Sequence, residues 1–133
     1  MTLEAGTIGS WEWDIQSGRS YWNPQEYLLL GLPPGDGEVD TALFFDHVQP
    51  EDRADLGAEL QLVLAQGEEF QRNFRVIRSD GAVRWISGRG RLLRDDKTAK
   101  PRRMLGVNID ISDAKEAQLA LENSEERLRL LVE

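Results

Sequence analysis

The sequence predicts an α+β domain, an antiparallel sheet of five strands with helices on one side and a long helix at the C-terminal end. Three observations predict it. Hydrophobic residues alternate with polar ones over 8–22 and again from residue 70 to residue 111, the period of strands. Between those blocks, residues 23–67 carry helix-starting and helix-stopping residues. After residue 112 the apolar spacing changes to threes and fours. Two strands, then helices, then three strands and a helix make an antiparallel sheet covered on one side.

Each element has its own grounds. Residues 2–6 read as a short helical turn broken at Gly6. Trp11, Trp13 and Ile15 alternate with Ser10, Glu12 and Asp14 as a strand, Gln16-Ser17-Gly18 turns the chain, and Arg19–Trp22 returns it as a hairpin. Asn23 caps a helix that has Pro24 at its first position, apolar Tyr27, Leu28 and Leu30, and Gly31 at its end. Three glycines and two prolines make 31–39 a loop. Asp40 or Thr41 caps a short helix that runs to about His47. Pro50 opens the next helix, with Glu51, Asp52 and Asp55 near its positive end and Leu56, Leu60, Val63 and Leu64 on one face until Gly67.

Phe70, Phe74 and Val76 then share one strand parity, and Asp80-Gly81 is a hairpin turn. The chain returns over Val83–Arg94, with Trp85 and Ile86 on opposite faces. Residues 95–101 are a polar loop, and Met104–Ile111 is the last strand, with Leu105, Val107, Ile109 and Ile111 on one face. Ala114, Ala117, Leu121, Ser124, Leu128 and Leu131 form a heptad seam. A helix over 113–133 extends about 31 Å, long enough to leave a small domain and pair with a second copy.

Composition excludes several chemistries. With 133 residues the chain fits one domain that can bury a true core. It has no Cys and one His, which removes thiol catalysis, disulfides, thiolate metal sites and metal sites built on two or more His. No apolar run approaches a membrane span and no signal peptide opens the chain, so a cytoplasmic protein without direct membrane contact is expected. The neighbouring carboxylates Glu51–Asp52 and Asp95–Asp96 are explained by a helix start and a turn, so no catalytic residue and no enzyme activity are expected.

The net charge of −8 is segregated. Residues 1–70 hold two Lys/Arg against fourteen Asp/Glu, residues 71–103 hold eleven against three, and residues 104–133 hold three against seven. Arginines beside aromatics on strands can form a nucleic-acid platform. Acidic segments flank this block on both sides, and it is expected to face the protein's own acidic helices or those of a second subunit, with no nucleic-acid partner.

Five segments carry a family resemblance: GSWEWDI at 9–15, YWNPQEYLLLGL at 21–32, QPEDR at 49–53, FRVIRSDGAVRWI at 74–86 and LGVNIDISDAKEAQ at 105–118. In this order they resemble a PAS domain with its C-terminal PAC-type motif, over about residues 3–118. The segment 124–133 resembles the lead-in to a following PAS repeat. The resemblance implies a sensory domain over 1–112 and a signalling helix and coiled-coil linker over 113–133 that leads to a further domain. It implies a homodimeric module of a larger signal-transduction protein, relaying the state of a pocket to an effector in the same chain, such as a histidine kinase or diguanylate cyclase. Asp110-Ile111-Ser112 matches the family's Asp-Ile-Thr junction, with the Ser112 hydroxyl able to cap the exit helix.

A small-molecule pocket is then expected between the inner sheet face and the helices over 24–47, at Trp22, Leu30, Val48, Leu60, Phe74, Ile86, Gly88 and Asn108. Gly88 and Gly90 would leave it room. The alternatives are a purely structural dimerisation module without ligand and a redox or gas sensor with bound flavin or haem. No cofactor is expected. A flavin–thiol adduct needs the Cys this chain lacks, and the only axial candidate for haem, His47, stands two residues before the position that family members use. The polar loop at 95–101 lacks the glycine common in the family.

Overall fold

The computed structural model describes residues 7–35 and 37–132. The turn expected over 2–6 lies outside the described residues. The elements are β1 (Ile8–Asp14), β2 (Arg19–Trp22), α1 (Pro24–Leu29), β3 (Glu38–Asp40), α2 (Thr41–His47), α3 (Pro50–Gln66), β4 (Glu69–Ile77), β5 (Val83–Arg94), β6 (Pro101–Asp110) and α4 (Ser112–Val132). The strands form one antiparallel sheet in the order β3-β2-β1-β6-β5-β4.

The sheet has one strand more than expected. Residues 38–40, expected as loop and helix cap, pair with the free edge of β2, Arg19 opposite Asp40 and Tyr21 opposite Glu38. The pairing satisfies backbone groups that an edge strand leaves open, and the Arg19 Nε donates to Glu38 Oε1 across it (3.0 Å).

The helix starts follow their caps. Asn23 Oδ1 accepts from the Glu26 N–H and also from the Ser10 N–H on β1, both at 3.0 Å, so one side chain caps α1 and pins it to the sheet. Asp40 Oδ1 accepts from Ala42 N–H (2.9 Å) at the start of α2. At the start of α3, Asp52 accepts from the Arg75 N–H (2.7 Å) and grips its guanidinium through both carboxylate oxygens at 2.7 and 3.0 Å. That guanidinium holds the Asp52 carboxyl below its ordinary range.

Register assigns the inner face. Trp22, Trp11, Gly106, Gly90 and Phe70 stand in one row across β2, β1, β6, β5 and β4, and Gly9, Asn108, Gly88 and Arg72 in the next. The two glycines beside Trp11 accommodate its indole. A Cβ on Gly90 would meet Trp11 Cη2 at 2.7 Å, and one on Gly106 would collide with Trp11 Cζ2 and the Arg89 carbonyl. The core gathers Trp22, Tyr27, Leu29, Leu30, Val48, Leu56, Val63, Phe70, Phe74, Val76, Ile86, Leu92 and Met104.

On β6 the alternation is reversed from what hydrophobicity suggests. Met104, Asn108 and Asp110 are buried, whereas Leu105 is 41% exposed. Together with Ile8 and Tyr21 it leaves the outer face of the sheet partly apolar. The 95–100 loop turns through Ala99 at φ 59°, so an alanine occupies the left-handed position that glycine favours. Four carbonyls, those of Val63, Leu64, Gly67 and Ala99, accept from the Arg94 guanidinium and anchor the loop to the end of α3.

The basic block meets the protein's own carboxylates. Arg72 faces Asp55 and Glu59 on α3, Arg75 faces Asp52, Arg84 faces Asp110 and Arg103 faces Glu12. Beyond Lys115, α4 is exposed along its described length, and Leu121, Leu128 and Leu131 are 59%, 60% and 76% exposed. No described helix is long and apolar enough to cross a membrane.

Candidate functional site

A cavity of about 60 Å³ lies between the inner sheet face and the helices. Trp11 and Trp13 reach it from β1, Ser20 and Trp22 from β2, Glu26 from α1, and Thr41, Phe44 and Phe45 from α2. Leu56 and Leu60 from α3, Phe70 and Phe74 from β4, and Asn108 from β6 complete it. Trp22, Phe44 and Phe74 form a chain of edge-to-face contacts, with ring centroids 6.4 and 5.7 Å apart.

Of the eight residues proposed from sequence, the structure brings Trp22, Leu60, Phe74 and Asn108 to the cavity wall. Leu30, Val48 and Ile86 are fully buried in the core beside it, and Gly88 lies beneath the ring edges of Phe74 and Phe70. Gly88 and Gly90 therefore make room for the protein's own aromatic rings. Ser20 and Thr41 are joined by a hydroxyl–hydroxyl bond of 2.8 Å, and the Thr41 hydroxyl donates to the Gly18 carbonyl.

The residue that sequence reasoning missed is Glu26. It is completely buried, and Asn108 Nδ2 donates to its Oε1 at 2.6 Å. Its Oε2 lies against Gly9, where any Cβ would collide with it, and has no hydrogen-bond partner. No described Lys, Arg or His pairs with it. Burial, only partly offset by Asn108, pushes its carboxyl up to about 7. A signal was available: Glu26 stands three and four residues before Leu29 and Leu30, on the stripe that α1 buries. The indole N–H groups of Trp11 and Trp13 are also buried without an acceptor.

Two residues beyond Asn108 the last strand reaches the exit junction. Asp110 has a fully buried side chain; its Oδ2 accepts from Arg84 Nε (2.8 Å) and its Oδ1 from the Ser112 N–H (2.9 Å). The Ser112 hydroxyl, expected to cap the exit helix, instead accepts from the Trp85 N–H of β5 (2.8 Å). The capping carboxylate is that of Asp110. The Trp85 ring is flanked by two cations, Arg75 of β4 at 5.3 Å and Lys115 of α4 at 4.8 Å from its centroid. Asp52, Arg75, Trp85 and Lys115 thus connect α3 to α4 across the sheet.

His47 lies outside the cavity lining, with Nδ1 on the Leu43 carbonyl (3.0 Å). Among the described residues no group of three or more His, Asp and Glu side chains could hold a metal ion.

Comparison with known proteins adds three findings. Residues 19–108 match the family model described as PAS fold. The chain is 28% identical over 130 residues to Sensor protein FixL of Bradyrhizobium diazoefficiens, and equally to the protein named Probable diguanylate cyclase DgcE of Escherichia coli. Each match covers 98% of this chain but only 25% and 12% of those relatives. Among solved structures, a sensory box histidine kinase/response regulator from Burkholderia thailandensis has a TM-score of 0.81 at 30% identity, covering 93% of this chain and 92% of that one.

Proposed function

The chain belongs to the PAS fold family, and from that premise we propose that it is the sensory and dimerisation module of a larger cytoplasmic signal-transduction protein. Occupancy of the cavity changes packing around Trp22, Phe74 and Asn108, β6 carries the change to Asp110–Ser112, and α4 passes it to an effector in the same chain. Relatives named as a sensor protein and a diguanylate cyclase support an effector of the histidine kinase or diguanylate cyclase type. The observation that carries the reading is continuity: Asn108 walls the cavity and Asp110, on the same face of the same strand, caps α4. A two-state helix pair could amplify a small displacement there.

The exposed seam of Leu121, Leu128 and Leu131 supports pairing of α4 with a second copy. The same seam also suits a ligand-free dimerisation module. Native mass spectrometry separates the two, since a retained small mass favours the sensor and a clean apo dimer the structural module. The size of the cavity and the position of His47 outside its lining favour a reading without flavin or haem.

The relay itself is tested by filling the cavity. Leu60→Phe should change amide hydrogen exchange at Trp85 and over Ser112–Ala117, more than 20 sequence positions away. Unchanged exchange at both places, in a variant that folds, would refute the relay.

A further inference from the structure

The walls of the cavity have an unusual charge composition. Of the described side chains facing it from β1, β2, α2, α3, β4 and β6, none is charged or titratable, and among the described residues Glu26 on α1 is the one ionisable group of the lining. That carboxyl accepts a single hydrogen bond, from Asn108, while Oε2 is buried without a partner. The rings of Trp11, Trp22, Phe44 and Phe74 surround the space. A buried carboxylate is stable when paired with a cation, and aromatic faces attract an ammonium group. The buried N–H groups of Trp11 and Trp13 call for an oxygen acceptor on the same molecule.

We infer that the cavity takes a short primary amine carrying a hydroxyl oxygen, an amino alcohol, with Glu26 as counter-ion to its ammonium group. The inference rests on the proposed role of this cavity as the sensory pocket and names the chemistry it selects. On the measure that gives a water about 10–15 Å³, the cavity of about 60 Å³ holds roughly four to six such groups, which accommodates four heavy atoms. Anions are disfavoured, because no described Lys or Arg lines the space and Glu26 would repel them. A neutral diol of the same size lacks the charge that Glu26 would compensate.

The test uses ethanolamine and its neutral isostere ethylene glycol, each titrated into the protein and followed by the indole N–H signals of Trp11 and Trp13. Propan-1-ol serves as a third, apolar-bodied probe. Ethanolamine should bind at least about tenfold more tightly than ethylene glycol at pH 8. Its ammonium stays charged from pH 5 to 8 while the Glu26 carboxyl protonates, so its affinity should fall at least about tenfold at pH 5. Glu26→Gln should remove both the preference and its pH dependence. Ethanolamine binding no better than the glycol, or binding equally to Glu26→Gln, would overturn the amine inference. If propan-1-ol still bound and altered exchange at Ser112, the sensory reading would stand. Failure of all three probes to bind would overturn the inference and remove the support of the pocket reading as well.

Discussion

Replacing Glu26 by Gln should make the protein more stable at pH 8 and remove most of its stability change between pH 5 and 8. The Glu26 carboxyl moves from an ordinary 4.5 to about 7 on folding. A group raised in this way contributes stability that is fully present below its unfolded value and is lost as pH rises through the folded one. At about 1.36 kcal/mol per unit, the complete loss is about 3 kcal/mol. Between pH 5 and pH 8, where the unfolded chain is already partly ionised, it is about 2 to 3 kcal/mol. Other shifted carboxyls act elsewhere. Asp14, Glu51, Asp52 and Asp95 lie below their ordinary values of 3.8 or 4.5, so their contribution is lost as pH falls below that range. The Gln side chain stays neutral, and its Oε1 can still accept from Asn108. Urea unfolding at pH 5, 6, 7 and 8 measures the effect: wild type should lose stability with rising pH, and the variant should stay level. Equal losses in both proteins would show that Glu26 is not the group responsible and would refute the burial argument.

Three further outcomes follow from individual contacts. Ala99→Gly should raise stability by about 1 kcal/mol by relieving the left-handed backbone at that loop, and thermal unfolding that is unchanged or lower would contradict this. Asp110→Ala leaves the Arg84 guanidinium and the Ser112 N–H without their acceptor. It should cost about 3 kcal/mol in chemical denaturation and speed amide exchange in the first turn of α4. Leu121→Glu combined with Leu128→Glu places charge on the exposed seam and should shift a dimer to monomer in analytical ultracentrifugation, with the far-ultraviolet spectrum of the domain retained.

Local signals were legible because they act over a few residues. The Asn23-Pro24 start, the Asp40 cap, the Asp80-Gly81 turn and the heptad spacing after residue 112 appear where the sequence indicates them. The glycine missing from the 95–101 loop was visible too, and Ala99 takes its place. Half of the proposed pocket set reached the cavity wall, because strand parity assigns an inner face without saying which inner residues meet each other.

Other assignments depended on which strands became neighbours. Spacing alone places Leu105, Val107 and Ile109 together on one face of β6, and the glycines of β1 and β5 and the Trp11 indole turn the opposite face, that of Asn108, toward the cavity. Glu26 looked like an ordinary acidic residue of a first helical turn. Only the closeness of α1 to Gly9 and the packing around it bury the carboxyl and raise its proton affinity, while Asn108, 82 residues later, donates the hydrogen bond that partly offsets the rise. The sequence by itself determined the family resemblance, through five motifs in order, and the caps that start α1 and α2 and the helical spacing after residue 112, which rest on short-range hydrogen bonding and periodicity. The tertiary structure alone decided the identity of the cavity wall, the use of the Ser112 hydroxyl and the burial of the Glu26 carboxyl without a cation, because desolvation depends on everything that packs around a group.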